Sequence, residues 1–303
     1  MAGTILHEKL LREEMSRQFI DELDRKLADR VPTLSDIDYI NRPGASITHV
    51  SDSHKLATGA GSVAIIDTGV DFTHPALMGA IDLLSGWDFT RSIPGGWENT
   101  DLAPTMGAFL AQETSPILDS GGTLTLNQET SPILDQTTNK ASGTTIPPDF
   151  GHGTMVAGLI HLVAPTAKIM PLKVFAPNGT STVSLVVSAI YWAIDHGAGV
   201  INMSFSTPQS SQELARAINY AVSKGVICVA AAGNNGQQTM VYPAGYADVI
   251  GTGSTNNLDV RSSFSNYGSV VTVPAPGEGV ISTFPLNRYA SGTCSRRATS
   301  KSA

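Results

Sequence analysis

The chain of 303 residues contains little cysteine, little charge and no long apolar run. Its two cysteines, Cys228 and Cys294, are too few for a disulfide scaffold or a cysteine-based zinc cluster. No stretch reaches the roughly 18 apolar residues of a membrane span, so we expect no membrane partner. The net charge of −7 argues against a nucleic-acid partner, since such proteins carry a basic stripe. What remains is a chain long enough to bury a large core.

Several motifs of common enzyme classes are also missing. The seven histidines form no HExxH pair, which leaves a zinc protease unsupported. No Gly-x-Gly-x-x-Gly follows a strand and no Walker A sequence is present, so neither nucleotide nor dinucleotide binding is indicated. The first residues show no basic segment followed by an apolar run, and we therefore expect a cytoplasmic protein without a secretory signal.

Residues 1–50 are predicted to form an N-terminal helical extension. Apolar side chains recur there at every fourth position, namely Leu11, Met15, Phe19, Leu23 and Leu27. This spacing draws one apolar stripe and predicts an amphipathic helix docked on the body of the protein. A regulatory or pro-segment that covers a cleft is the second interpretation.

Strand and helix patterns alternate from Val63 onward. The predicted buried strands are Val63–Ile66, Lys168–Val174, Val200–Phe205, Val226–Ala231, Val249–Thr252 and Val270–Val273. The predicted helices are Thr154–Leu162, Thr182–His196 and Ser211–Lys224. This alternation predicts an α/β fold, with a parallel central sheet and helices on both of its faces. Functional residues of such sheets lie at the carboxyl ends of the strands.

Residues 90–148 interrupt the alternation and are rich in Gly, Pro, Thr and Ser. They contain an internal duplicate, since the sequence of Gln112–Asp119 recurs sixteen residues later as Gln128–Asp135. Two copies are too few for a repeat architecture. We interpret the segment as a long insertion in a surface loop.

Polar residues end two of the predicted strands. Asp67 follows four apolar residues, where a carboxylate is costly to bury unless it is paired or hydrogen-bonded. A helix-capping or turn aspartate is the alternative. Asn234 follows the strand that ends at Ala231 and has an amide able to donate to a developing oxyanion, or else it is a turn residue beside Gly236.

His152 stands between two glycines, Gly151 and Gly153, which permit close approach of the backbone on both sides. The helix that follows is apolar on several faces, so we expect it to be buried. A buried structural histidine is the alternative for this residue alone.

Together these motifs identify a resemblance to the subtilisin-like serine proteases, the subtilases. The matching segments are VAIIDTGVD (Val63–Asp71), GHGTMVAG (Gly151–Gly158), INMSFS (Ile201–Ser206), VAAAGNNG (Val229–Gly236), YPA (Tyr242–Ala244) and SGT (Ser291–Thr293). The resemblance implies a serine endopeptidase in which Asp67 orients His152, His152 acts as general base and then general acid, and Asn234 donates to the oxyanion.

The resemblance also implies where substrate binds. The expected substrate-binding residues are Ser204, Phe205 and Ser206 in one segment, with Ala231, Ala232 and Gly233 in the other. A peptide or protein substrate would bind in extended form, as an added strand. Ser206 stands where the family usually has glycine, which we expect to narrow the pocket. No cofactor is required, and calcium is common in the family, but its ligands are not assignable from this sequence.

The chain departs from the family at its end. Cys294 occupies the position of the nucleophilic serine, and residues 295–303 lack the apolar period of the buried helix expected there. Three explanations are open: Cys294 is a thiol nucleophile, Ser295 substitutes for it, or a frameshift has removed the C-terminal part of the fold. One restored base, with suitable synonymous codons, gives Ser-Leu-Ala-Ala-Arg-His-Val-Glu-Val-Gly.

We therefore expect a peptidase domain over residues 51–294 followed by a non-family tail, 295–303. By family the chain is a serine endopeptidase with an Asp-His-Ser triad, and Cys294 at the nucleophile position predicts that it is inactive. A non-catalytic peptide-binding relative is the alternative function.

Overall fold

The computed structural model describes residues 43–98, 125–127, 149–176, 179–280 and 282–285. The helix predicted from Leu11 to Leu27, the residue Cys294 and the tail 295–303 lie outside these ranges. Two short helices, α1 (Pro43–Ile47) and α2 (Val50–Ser53), precede the first strand.

The described chain then alternates between strands and helices. The strands are β1 (Gly61–Asp67), β2 (Trp87–Asp88), β3 (Ile93–Pro94), β4 (Thr125–Asn127), β5 (Ala167–Lys173), β6 (Thr180–Thr182), β7 (Val200–Met203), β8 (Ile227–Ala231), β9 (Val249–Thr255) and β10 (Val273–Pro276). The longer helices are α3 (His152–Val163), α4 (Val183–Asp195) and α5 (Gln212–Ser223), and a short 3-10 helix covers Pro75–Leu77.

Eight strands form one sheet in the order β10-β9-β8-β7-β1-β5-β2-β3. All neighbours in it are parallel except β2 and β3, which form an antiparallel pair at one edge. The predicted parallel sheet is therefore confirmed. β1 lies near its centre, paired with β5 on one side and β7 on the other, so both of its edges are hydrogen-bonded. The strands β4 and β6 form a separate antiparallel pair.

Successive residues of β1 face opposite layers of the fold. Ala64 and Ile66 pack into the main core with the apolar residues of α4 and α5. Ile65 belongs to a second, smaller cluster with Leu77 and with Ala157 of α3. A strand points alternate side chains to opposite sides, so the continuous apolar run of β1 reflects burial on both faces. Helix α3 therefore lies across the sheet from α4 and α5, as predicted.

The helices begin in two different ways. Ser211 precedes α5, and its Oγ accepts from the backbone N–H of Leu214 at 3.2 Å. Thr182 caps α4 in the same manner, more weakly, at 3.4 Å. Helix α3 follows Gly151, which has no side chain, and its first turn contains no acidic residue. The first N–H groups of α3 must therefore find acceptors elsewhere.

The last strand differs from the prediction. Val270 is buried as expected, but the backbone N–H of Val271 donates to the carbonyl of Gly268 and closes a turn. β10 begins only at Val273, whose side chain is 43% exposed at the edge of the sheet. Residues 270–273 thus contain the end of a turn, in which Val270 is buried, and the exposed first residue of a strand. Over the described ranges, no helix has the length and apolar character needed to cross a bilayer.

The contact between α4 and the main core gives a stability test. Ile190 is fully buried on α4, and Ile190→Ala should lower the free energy of unfolding by about 2–5 kcal/mol because it leaves a cavity. Ser188→Ala, on the exposed side of the same helix, should change it by less than about 0.5 kcal/mol. Urea unfolding followed by circular dichroism measures both. An equal loss in the two variants would contradict the assigned orientation of α4.

Candidate active site

The end of β1 and the start of α3 bring a carboxylate and an imidazole together. Asp67 is the last residue of β1 and His152 the first of α3, and they are 1% and 4% exposed. The Nδ1 atom of His152 lies 2.9 Å from both carboxylate oxygens of Asp67. A carboxylate only accepts, so Nδ1 carries the proton and donates. In the neutral ring the lone pair is then on Nε2, the atom that can take up a proton.

Asp67 is held by its own strand and by its neighbour. Its Oδ1 accepts from the backbone N–H of Thr68 at 2.7 Å and lies 3.2 Å from the Thr68 hydroxyl. Its carbonyl oxygen accepts from the N–H groups of Val174 and Phe175, which follow β5. The bonds from Thr68 and from His152 to the carboxylate provide the compensation that its burial requires, and the bonds to the carbonyl hold the backbone in place.

The surroundings of His152 favour the charged ring. Burial on its own lowers the pKa of His152, but the charge and hydrogen bond of Asp67, with the charges of Glu98 and Asp149, outweigh it, and the pKa is raised. His74 shows the opposite balance: burial outweighs the charge of Asp71 and lowers the pKa of His74 to about 4, and its Nδ1 accepts from the backbone N–H of Ala76.

Two glycines permit this close packing. A Cβ atom on Gly153 would lie 2.1 Å from the carbonyl oxygen of Gly69 and 3.1 Å from Oδ1 of Asp67. Gly151 has a φ of 96°, and a Cβ there would lie 2.1 Å from the ring of Phe284. Gly153 therefore lets α3 meet the end of β1 without a side chain between them, and Gly151 leaves room for the ring of Phe284.

The two segments predicted to bind substrate leave the sheet at the same edge. Residues 204–206 follow β7 and residues 231–233 end or follow β8, and the parallel register pairs Met203 with Ala230 just before them. All six residues are buried. Thr207 continues the first segment and exchanges two 2.8 Å backbone hydrogen bonds with Tyr242. The structure thus places both segments at the carboxyl ends of the strands, at the same edge of the sheet as Asp67.

Asn234 is partly exposed and lies just beyond these segments. Its loop is fastened by Asn266, a residue that the sequence did not single out. The side-chain Oδ1 atom of Asn266 accepts from the backbone N–H groups of Asn235 and Gln237, both at 3.1 Å. The backbone N–H of Asn266 donates to the carbonyl of Gly233 at 2.9 Å. The amide of Asn234 is thus carried on a loop of fixed backbone geometry.

Two charged residues near the Asp67–His152 pair were not predicted from the sequence. Glu98 and Lys173 are both fully buried and meet at Thr68: its hydroxyl lies 2.6 Å from Oε1 of Glu98, and its carbonyl accepts from Nζ of Lys173 at 2.5 Å. A lysine inside the apolar run of β5 was a usable signal. Glu98 follows two glycines and a tryptophan in the segment interpreted as an insertion, and no pattern indicated its burial.

The part of the chain that the structure describes contains no assembled metal site. No group of three or more His, Cys, Asp or Glu residues is placed there to hold an ion. The carboxylates of Asp71 and Asp88 each accept from a threonine two residues later, through its N–H and its hydroxyl. Calcium binding, expected from the resemblance, stays a prediction without ligands.

A comparison with family sequence models decides what the site belongs to. The Subtilase family, Peptidase S8, matches residues 59–303. The chain belongs to this family. Subtilases are serine endopeptidases, so the family predicted from the motifs of Asp67 and His152 is confirmed.

Individual relatives agree with this assignment. The chain is 37% identical over 233 residues to a thermophilic serine proteinase of Bacillus sp. strain AK1, a match covering 76% of this chain and 48% of that protein. It is 36% identical over 247 residues to thermitase of Thermoactinomyces vulgaris, covering 78% and 70%. The chain thus spans about half the length of the first relative.

The fold is also similar to that of solved subtilases. A cold-adapted subtilisin-like serine proteinase superposes with a TM-score of 0.57 at 26% identity, covering 81% of this chain and 71% of that one. This similarity agrees with the mostly parallel sheet.

The glycine contact predicts a sharp difference between two substitutions. Gly153→Ala places a methyl group against the Gly69 carbonyl, so it should separate α3 from β1 and weaken the bond between Asp67 and His152. Gly199→Ala meets only the Ser62 carbonyl at 3.7 Å, which is ordinary contact. We expect a loss of about 1–3 kcal/mol of unfolding free energy for the first and little change for the second. Thermal unfolding, together with the imidazole proton signals of His152, measures both effects. A shifted His152 signal in the Gly199 variant would argue against this reading.

The raised pKa of His152 gives a pH test. Asp67→Asn removes the main charge that opposes burial, so the pKa of His152 should fall. The raised pKa stabilises the fold fully below the unfolded value near 6.5, and this contribution disappears as the pH rises through the folded pKa. Asp67→Asn should therefore flatten the stability profile in that window. NMR titration of His152 and unfolding at several pH values measure the two effects, and an unchanged His152 titration would show that Asp67 does not set its charge.

Proposed function

We propose that the site has the acid–base pair of a peptide-bond hydrolase, formed by Asp67 and His152, and that this family chemistry needs a nucleophile which the chain has altered. The observation that supports this most directly is the buried hydrogen bond from Nδ1 of His152 to the carboxylate of Asp67, at 2.9 Å. The bond fixes the tautomer in which Nε2 accepts a proton, as a general base must. The carboxylate of Asp67 orients the ring and stabilises the imidazolium that forms.

The reaction follows from these roles. Nε2 of His152 takes the proton of the nucleophile, and the nucleophile attacks the substrate carbonyl carbon. The carbonyl oxygen becomes an oxyanion, to which the amide of Asn234 donates. The tetrahedral intermediate then expels the amine, which receives the proton from His152. The acyl group is then bound to the nucleophile. A water molecule that gives a proton to His152 attacks this acyl group, and the nucleophile leaves with a proton from His152 as the carboxylic acid is released.

The substrate is an extended peptide that lies along residues 204–206 and 231–233. Parallel strands β7 and β8 end together here, so backbone groups of both segments border the same cleft. An added strand binds mainly through its main chain, which explains how such a cleft accepts varied sequences. Ser206 is 4% exposed and narrows the space for the side chain next to the cleaved bond.

We propose that Cys294 occupies the position of the family's nucleophilic serine. Residues 295–303 include three basic residues and lack the apolar period of the helix expected there. For these two reasons we expect the chain to lack serine-peptidase activity. The preserved cleft segments favour a second function, binding of extended peptides without cleavage.

A fluorophosphonate probe tests the proposed loss. It labels only activated serines, so the chain should remain unlabelled, and a fluorogenic peptide should not be cleaved at the rates of a subtilase. Cleavage that disappears in Cys294→Ala, but persists in the control Cys228→Ala, would instead identify Cys294 as a working thiol nucleophile. Cys228 is buried in β8 and is a suitable control, because burial raises the pKa of its thiol to about 11.

Peptide binding is measured separately. Fluorescence anisotropy with a labelled extended peptide should show saturable binding that a proline-rich peptide of equal length does not compete for, because proline lacks the N–H that strand pairing needs. Equal competition by both peptides would argue against strand addition.

A further inference from the structure

The carboxyl group of Glu98 is completely buried beside the acid–base pair and has no part in the reaction described above. Its Oε1 accepts from the Thr68 hydroxyl and from the backbone N–H of Gly151, both at 2.6 Å, and its Oε2 accepts from the Thr154 hydroxyl at 2.5 Å. Thr68 is the residue after Asp67, and the other two lie on either side of His152. One carboxylate thus binds the end of β1 and the first turn of α3.

We propose that Glu98 is a positioning residue for the Asp67–His152 pair, which it holds in register through Thr68, Gly151 and Thr154. The proposal rests on the proposed function only in taking that pair as the working acid and base.

The contact with α3 serves as a helix cap supplied from a distant part of the chain. α3 has no capping side chain of its own, and Glu98 satisfies the N–H of Gly151, the residue before its first turn. A negative charge is also favourable at the positive end of the helix dipole. A protonated His152 at this helix end is unfavourable, because the helix dipole is positive there. The negative charge of Glu98 acts in the opposite direction and raises the pKa of His152.

The contact with β1 reaches Asp67 through one hydroxyl. Oγ1 of Thr68 accepts from the N–H of Gly153 at 3.0 Å and has a single proton to donate. Oε1 of Glu98 lies 2.6 Å from this hydroxyl and Oδ1 of Asp67 lies 3.2 Å from it. When Glu98 is ionised, the Thr68 hydroxyl therefore donates its hydrogen bond to Glu98. A protonated Glu98 can donate to Thr68 instead, and the Thr68 hydroxyl is then available to Asp67.

This exchange falls within the neutral pH range. Burial raises the pKa of Glu98 to about 7, against the hydroxyl bonds of Thr154 and Thr68, the charge of Lys173 and the N–H of Gly151. Asp71 and Asp149 are further titratable groups near the pair among the described residues. The backbone N–H of Asp71 donates to the Thr154 hydroxyl, and burial raises the pKa of Asp149.

The test compares Glu98→Gln with Glu213→Gln, using NMR titration of the His152 ring in the full chain. Glu98→Gln keeps the size of the side chain and removes the charge, so the midpoint of the His152 titration should move to lower pH by roughly 0.5 unit or more. Glu213→Gln removes the same charge from the exposed start of α5 and should leave the midpoint unchanged. A purely structural Glu98 would lower the melting temperature without moving the midpoint, and a folded Glu98→Gln protein with an unchanged midpoint overturns the proposal.

A second measurement needs no variant. In the unsubstituted protein, labelled with ¹³C, the side-chain carboxyl carbon of Glu98 should titrate near pH 7, and the ring signals of His152 should show an inflection at that same pH. A Glu98 titration without any response of His152 also overturns the proposal. Both readouts are independent of residue 294 and of peptide cleavage, so failure of the proposed peptidase chemistry would be recognised separately.

Discussion

The direct contact between the first turn of α3 and the end of β1 is the constraint on which the site depends. The backbone of Gly153 lies against the carbonyl of Gly69, at a distance that leaves no room for a Cβ atom. Only at this separation can one hydrogen bond join Asp67 and His152, although they are 85 residues apart in sequence. The sheet supplies one half of the contact and its covering helix supplies the other.

The ionised carboxylate of Glu98 at this contact lowers the free energy of unfolding. The raised pKa of Glu98 means that the folded protein binds its proton more tightly than the unfolded chain, so the free energy of unfolding falls as the pH rises from about 4.5 to about 7. For a group this deeply buried, the loss is on the order of 3 kcal/mol. A carboxylate retained at that cost is more readily understood through what it holds in place than through stability.

Sequence patterns predicted the sheet because it follows from local rules, and apolar runs separated by amphipathic segments identified five of the six predicted strands to within a few residues. Asp67 was marked by a strand end and His152 by its two flanking glycines, but the resemblance to the subtilases was needed to give them their roles. The strand predicted from Val270 was wrong at its start, since an apolar run does not distinguish the end of a turn from a strand. Glu98 and Asn266 could not be found this way, because each acts through backbone and hydroxyl groups that are distant in sequence. The roles of Asn234 and Cys294 stay predictions.

Glu98 also explains how the chain tolerates a duplicated segment near its site. Its bond to Gly151 joins residues 53 positions apart in sequence. The entropy of closing a loop grows only with the logarithm of its length, and sixteen added residues cost a simple chain of this size about 0.3 kcal/mol. Added length between the two anchors therefore costs little free energy, while the anchors themselves cannot move without disturbing the acid–base pair.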